Sequence, residues 1–291
     1  MKASYYPGCS LEGTAKAYDH STREVCSALG VTLQEVPKWV CCGSSAGLKM
    51  NRSLATALTG INLALLEKEE PSDVVAPCPF CHRQLASAQE EMVNDPSLKA
   101  RVQEVIEAEL SGKLQIHTLV DFLRQRVGLA AIAAKLEKPL AGLKVIPYYG
   151  CFMIKPRQLS HAENAENPTS LDEILKALGA EVLDWDFKTQ CCGSSLSLTK
   201  TEKVVELSGR LAREAAFRGA DAIVVACQLC HTNLDMRQGQ LRRQDGSKYE
   251  LPIIYFTQLM GLAFGFAPAA LGLHHHLVDP LPLLKRKGLI G

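Results

Sequence analysis

Two short stretches join an apolar run to a pair of cysteines and a histidine: VVAPCPFCH, from Val74 to His82, and IVVACQLCH, from Ile223 to His231. Cys-x-x-Cys-His is the attachment signature of c-type haem, yet Cys-x-x-Cys is equally half of a zinc site, a redox-active dithiol or part of an iron–sulfur ligand set. The remaining cysteines narrow the choice. Of the eleven in the chain, all but Cys26 fall into two like series, Cys9, Cys41-Cys42, Cys78-x-x-Cys81 and then Cys151, Cys191-Cys192, Cys227-x-x-Cys230. Corresponding members lie 142 to 150 residues apart.

Adjacent cysteines are the demanding part of the pattern. Successive side chains of an extended chain point to opposite faces, so Cys41 and Cys42 serve one centre only across a sharp turn, which Gly43 permits. That suits a multi-iron cluster with several attachment points better than one tetrahedral zinc. Zinc and a cubane [4Fe–4S] cluster each take four protein ligands, which leaves one cysteine of every five without a task.

The composition is that of an ordinary globular protein, 291 residues with 47% apolar and 22% charged, enough for two domains of roughly 100–150 residues. A formal net charge of +1 argues against a nucleic-acid surface. The opening MKASYYPGCS breaks at Pro7 and Gly8 before a signal-like apolar core develops. The longest apolar stretch, Leu259 to Leu273, is 15 residues long and interrupted by Pro268, too short to span a bilayer. A cytoplasmic protein without membrane insertion is the expectation. In that reducing setting cysteines point to metal or redox chemistry rather than disulfides, and haem c, attached outside the cytoplasm, is disfavoured.

The elements that must position the cysteines repeat as well. YYPGC is echoed by YYGC, SALG ending at Gly30 by KALG ending at Gly179, and CCGSS occurs at Cys41 and again at Cys191. Such self-similarity marks a duplicated domain. Pro139 and Gly142 in EKPLAGL place the boundary near 137–143, giving domains 1–138 and 139–291. Leu54, Leu58, Ile61 and Leu65 read as one helix face, Val204, Leu207, Leu211 and Ala215 as its counterpart, and Ser170 with Glu173 as a capping box. KVIPYY and DAIVVA read as strands covered on both faces. The expected fold class is α/β, each half a small, mainly parallel sheet flanked by helices. Cys9, Cys78, Cys151 and Cys227 each follow a strand, at the edge where open α/β sheets bind ligands, so five thiolates converge at one edge of each domain.

Taken with YYPGCSLEG, YYGCFMIKP, CCGSSLSLTK, GADAIVVACQLCH and PIIYFTQLMGLAFG, the two cysteine series resemble the cysteine-rich CCG family over nearly the whole chain, and within it the B subunit of heterodisulfide reductase. The resemblance implies that each series holds a noncubane [4Fe–4S] cluster, two fused smaller units on five cysteines, with a disulfide cleaved between the two clusters. Cys9, Cys41, Cys42, Cys78 and Cys81 would hold one; Cys151, Cys191, Cys192, Cys227 and Cys230 the other. Implied partners are a C subunit carrying conventional [4Fe–4S] cubanes, a flavin-containing A subunit and a small disulfide or thiol substrate. Other members relay electrons in quinone-linked dehydrogenases, and related assemblies act in sulfur oxidation. Methanogen members tend to carry histidine after the first cysteine of the second series, where this chain has Phe152 and so no proton donor.

Ten thiolates on two clusters with 2+ cores would change the formal charge from +1 to about −5. Local cations are then expected, and Lys155, Arg157, Lys49 and Lys200 are candidates for that role or for gripping an anionic substrate. Cys26, on a helical stretch outside both series, is expected in the core. His82 and His231 are expected as helix-opening cap or surface residues, and His274 to His276 as loop.

Overall fold

The computed structural model describes residues 1–44, 47, 51–70, 73–154, 164–241 and 248–291. Four short strands, β1 (Lys2–Tyr5), β2 (Thr32–Glu35), β3 (Asp73–Val75) and β4 (Gln115–His117), form a parallel sheet in the order β2-β1-β3-β4. A second parallel sheet, from β5 (Lys144–Tyr148), β6 (Glu181–Val182), β7 (Ala222–Val225) and β8 (Ile253–Tyr255), has the same order, β6-β5-β7-β8. Every residue of β7 and β8 is buried, as expected of strands with helices on both faces. The duplicated α/β architecture is therefore as the sequence implied.

Strand order positions the cysteines. In each sheet the chain turns one way from the first strand and the other way from the third, so the crevice between those two strands is a topological switch point. Register aligns their ends, Tyr5 beside Val75 and Tyr148 beside Val225. The loops leaving them carry Cys9 with Cys78, and Cys151 with Cys227.

Helix α1 (Cys9–Glu12) is a single turn, and α2 (Lys16–Ala28) ends in a Schellman motif: the amide of Gly30 donates to Ser27 and that of Val31 to Cys26. Its counterpart beyond β5 ends the same way at Gly179 and Ala180. That helix spans Ser170–Ala177, so the cap falls one residue earlier than the sequence suggested; Thr169 precedes the helix and its hydroxyl bonds the Glu173 carboxylate at 2.8 Å.

Helix α3 (Arg52–Leu66) departs further from expectation. Leu54 is 53% exposed, and the buried face is Ala55, Thr59, Asn62, Leu63 and Leu66. Buried polar groups require partners. Asn62 finds them on Val40, accepting from its amide and donating to its carbonyl, both at 2.9 Å. The inward face thus fixes the backbone that enters Cys41. Helices α4 (Pro79–Asn94) and α5 (Pro96–Ile106) complete that side. An interrupted helical segment follows β4: α6 (Leu119–Phe122), a π-helical turn Leu123–Gly128, and α7 (Leu129–Ala133).

In the second half, with α8 denoting Ser170–Ala177, helix α9 (Thr201–Phe217) buries Val204, Leu211 and Ala215 and half-buries Leu207, as the periodicity implied. Helices α10 (Gln228–Arg237), α11 (Phe256–Ala263) and α12 (Leu281–Arg286) complete it. The halves exchange contacts reciprocally: α11 packs on α2, and the α6–α7 segment packs on α8. Ser21 meets Thr257 at 2.7 Å in the first contact, and Arg124 meets Glu173 at 2.6 Å in the second. All eight residues of α11 are buried, between α2 and the helix's own half, which accounts for the start of the apolar run at Leu259. Among the described residues no helix is long and apolar enough to cross a membrane.

Candidate metal centres

Each site begins with a glycine that cannot be replaced without displacing sulfur. Gly8 and Gly150 precede Cys9 and Cys151 at φ of 74° and 68°, in the left-handed region that side chains disfavour. A Cβ at Gly8 would stand 2.7 Å from Cys81 Sγ, and one at Gly150 would stand 3.0 Å from Cys230 Sγ. Two residues upstream, the Tyr6 hydroxyl donates to the Val40 carbonyl at 2.6 Å and that of Tyr148 to Gln190 at 2.7 Å. In both halves a tyrosine therefore ties the first cysteine loop to the residue preceding the Cys-Cys pair. The match aligns Tyr6-Pro7-Gly8-Cys9 with Tyr148-Tyr149-Gly150-Cys151 without the gap that YYPGC against YYGC suggested.

The Cys-Cys-Gly segments turn as anticipated, with Gly43 and Gly193 at φ of 76° and 83°. Cys42 and Cys192 point inward and are buried, while Cys41 and Cys191 are exposed. Each Cys-x-x-Cys opens a helix: Cys78 is the N-cap of α4, its sulfur accepting from the Cys81 amide at 3.4 Å, and Cys227 is the N-cap of α10. Helix N-termini favour thiolates.

The ten thiols are brought together five by five. Cys41 Sγ lies 3.6 Å from Cys9 Sγ, and Cys42 Sγ 3.5 Å from Cys81 Sγ, with Cys41–Cys42 and Cys78–Cys81 bonds completing the string. In the second half Cys192 lies 3.5 Å from Cys230, which also bonds Cys227, while Cys151 bonds Cys191 close enough to feel the charge of Cys192 and Cys227. Hydrogen bonds from the Cys41 and Cys81 thiols lower Cys42 to about 4, and the bond from Cys230 lowers Cys192. The donors Cys41, Cys81 and Cys230 are correspondingly pushed up. Burial, then the surrounding sulfurs, hold the Tyr6 and Tyr148 phenols protonated.

This donor set fits an iron–sulfur cluster. Thiolates are its ligands, and none of the eleven cysteines is in a disulfide. Each string runs from buried sulfurs to exposed ones, against a glycine that leaves no room for a Cβ. Thiolates gathered in low-dielectric surroundings repel one another, and a polynuclear cation relieves that repulsion. Cys26 is outside both strings: it is fully buried in α2, and burial pushes its thiol up to about 12.

Several contacts around the sites have no sequence signature. The Gln228 amide, inside the second Cys-x-x-Cys, donates to Cys78 Sγ of the first half at 2.8 Å. Phe80 stacks on Phe152, and Arg83 lies over the Phe152 ring at 4.9 Å. Lys188 is buried and paired with Asp172 at 2.8 Å; Asp172 also accepts from the Tyr149 hydroxyl at 2.5 Å, and the Lys188 carbonyl accepts from the Tyr149 and Gly150 amides. A lone lysine in the sequence carries no mark of such burial.

The histidines depart from expectation. His82 is buried, 3% exposed, not at the surface. His231 stacks on Tyr255 with centroids 4.3 Å apart, and its Nε2 meets His276 Nδ1 at 2.8 Å. His231, Asp235 and His276 offer ligand atoms within 4.8 Å of one another, but these atoms already serve a hydrogen-bond network: Asp235 accepts from the Leu277 and Val278 amides, and His276 Nε2 meets Gln258 Oε1. Lys200 is exposed at the N-cap of α9. Lys49, Lys155 and Arg157 lie outside the described residues.

Comparison with known proteins gives the family. The cysteine-rich domain family CCG matches residues 3–86 and 145–235, one match per sheet. The chain is 30% identical, over 96% of its length and 98% of the other's, to the membrane anchor subunit of the 8-methylmenaquinol:fumarate reductase of Wolinella succinogenes. It is 28% identical, over 98% of its length and 96% of the other's, to the B subunit of the ferredoxin/F(420)H(2)-dependent CoB-CoM heterodisulfide reductase of Methanosarcina acetivorans. An Archaeoglobus profundus protein, itself described as like the B subunit of heterodisulfide reductase, is 27% identical, with 92% of each chain covered. In fold the chain is similar to a hypothetical protein from Helicobacter pylori, with a TM-score of 0.76 at 13% identity over 96% of this chain; it spans about half, 52%, of that protein.

Proposed function

The chain belongs to the CCG cysteine-rich domain family, and from that premise we propose that it is the iron–sulfur subunit of a heterodisulfide-reductase-like complex, an oxidoreductase that cleaves or forms a small disulfide. The observation that carries the reading is the gathering of five thiols, present twice at equivalent switch points. Cys9, Cys41, Cys42, Cys78 and Cys81 hold one noncubane [4Fe–4S] cluster, and Cys151, Cys191, Cys192, Cys227 and Cys230 the other, in domains dividing at 138–139. When bound, the clusters supply single electrons to a reaction in which a disulfide takes up two electrons and two protons to become two thiols.

The protein's own residues limit how that reaction is served. Phe80 and Phe152 present an apolar surface at the meeting of the halves, and neither supplies a proton. Arg83 is a cation at that place, while Lys155, Arg157 and Lys200 remain candidates for an anionic substrate. The electrons come from partners, a C-type subunit with [4Fe–4S] cubanes and a flavin-containing A-type subunit, in a cytoplasmic complex.

A second reading is favoured by the Wolinella succinogenes relative: an electron relay in a quinone-linked complex, with no disulfide at the clusters. Anaerobic preparation tests the shared part. About eight irons per chain are expected from two four-iron clusters, and stoichiometric zinc with negligible iron would refute both readings. Oxidised protein mixed with candidate thiols then separates them. A new paramagnetic signal that broadens with a magnetic sulfur isotope in the thiol supports disulfide chemistry; no broadening with any thiol or persulfide that the complex turns over supports the relay.

A further inference from the structure

The two candidate sites are related by duplication, yet one contact between them runs in a single direction. Gln228 lies between Cys227 and Cys230, in the first turn of α10, which carries two cysteines of the second site, and its Nε2 reaches Cys78 Sγ of the first at 2.8 Å. The residue is 1% exposed, and its Oε1 has no hydrogen-bond partner among the described residues. Burying an amide with its oxygen unpaired is unfavourable, so the Cys78 sulfur is the interaction that fixes this side chain. The equivalent position in the first half is Pro79, which has neither an amide side chain nor a backbone N–H, so the reciprocal bond cannot form. The second site does have a side-chain amide near sulfur, Asn233, but it comes from the same half and stands 3.8 Å from Cys192 Sγ, with a shorter bond of 3.1 Å to the Cys192 carbonyl.

We propose that Gln228 is a positioning residue of the second half that sets the redox potential of the first-half cluster. The inference rests on the iron–sulfur reading above. A hydrogen bond to a ligating sulfur draws charge from the thiolate and stabilises the more negative, reduced state, which raises the potential. The donor is flanked by cysteines of the other site, so the helix turn that would hold one cluster also presents the hydrogen bond that tunes its neighbour. The sites are thus made inequivalent by one residue.

The test uses anaerobically reconstituted full-length protein, wild type against Gln228→Leu, which keeps the bulk and removes the donor. Iron per chain should be unchanged. In a redox titration followed by electron paramagnetic resonance, one midpoint should move to lower potential while the other stays in place. A Cys192→Ala background, lacking the second-half cluster, should retain the shifting signal. Unchanged midpoints at full iron content, or a shift confined to the second-half cluster, would overturn the proposal. If Gln228→Leu loses iron, wild-type protein labelled with ¹⁵N in its glutamine side chains decides: a ¹⁵N coupling to the first-half cluster in pulsed spectra supports the bond, and its absence overturns it. Wild-type protein that binds no iron would remove the iron–sulfur reading and this inference together, whereas loaded clusters without a shift would remove only the inference.

Discussion

The rings of Phe80 and Phe152 stack with centroids 3.8 Å apart and planes 20° from parallel, joining the first Cys-x-x-Cys loop to the residue after the first cysteine of the second half. Phe80 is buried and Phe152 partly so, with the Arg83 guanidinium over the Phe152 ring. The residue after the first cysteine of the second half thus makes an apolar contact between the halves.

That contact should be measurable as coupling. Aromatic pairs contribute about 0.5–1.5 kcal/mol beyond the area they bury. A double-mutant cycle of Phe80→Ala and Phe152→Ala, followed by anaerobic urea unfolding, should return an interaction energy of that size. Strict additivity would show that the stack contributes nothing of its own.

Substitutions at glycine separate backbone strain from site geometry. Gly8→Ala forces φ of 74° on alanine and places its Cβ against Cys81 Sγ, so iron should fall by about half while the second site keeps its share. Gly150→Ala should do the same in the other half, less severely, because its contact with Cys230 Sγ is 3.0 Å rather than 2.7 Å. Gly30→Ala is the control: φ is 72° with no atom within 4 Å of the new Cβ, so stability should drop by roughly 1–2 kcal/mol with iron unchanged. Equal iron loss in all three would mean that strain alone, not the approach to sulfur, explains the first two.

Ligand and core cysteines should part in the same assay. Cys42→Ala and Cys192→Ala are expected each to remove the iron of one half, since each string is closed within its own sheet. Cys26→Ala should keep all the iron and cost about 1–2 kcal/mol for the atom lost from the core. Iron loss from Cys26→Ala with retention in Cys42→Ala would invert the assignment.

The cysteine strings and the doubled sheet were legible because both are written in residue type and spacing: thiols recur at one period, and apolar runs precede them. The buried face of α3 was not, since Thr59 and Asn62 point inward and hydrophobic periodicity passes over polar residues. The reach of Gln228 to Cys78, 150 residues away, depends on how the halves meet, which no local pattern encodes. Lys188 escaped notice for a related reason. Its buried counter-charge, Asp172, lies on a different element, the nearby Asp184 is exposed, and a lysine is ordinarily at the surface.

Acid should weaken the fold through the histidine pair behind the second site. Gln258 donates its amide to the Leu271 carbonyl, so its Oε1 is an acceptor, taken by the Tyr255 amide and by His276 Nε2. His276 must then carry its proton on Nε2 and present a bare Nδ1 to the Nε2–H of His231. Burial lowers the His276 pKa from 6.5 to about 4 in spite of a hydrogen bond to the Ile253 backbone that favours the charged form; burial followed by His276 itself lowers His231 as well. A base whose folded pKa is depressed leaves the unfolded chain binding more protons in acid, so stability is full above about pH 6.5 and is lost as pH falls towards 4. From His276 alone the loss at pH 5.5 is on the order of 1 kcal/mol, and His231 adds to it in the same direction. Asp235, raised by burial, opposes the effect, but it is common to wild type and variant and cancels in their comparison. Anaerobic urea unfolding at pH 7.5 and 5.5 should therefore show a larger acid loss in wild type than in His276→Asn. An equal loss in both would mean that the pair does not remain neutral in the folded protein.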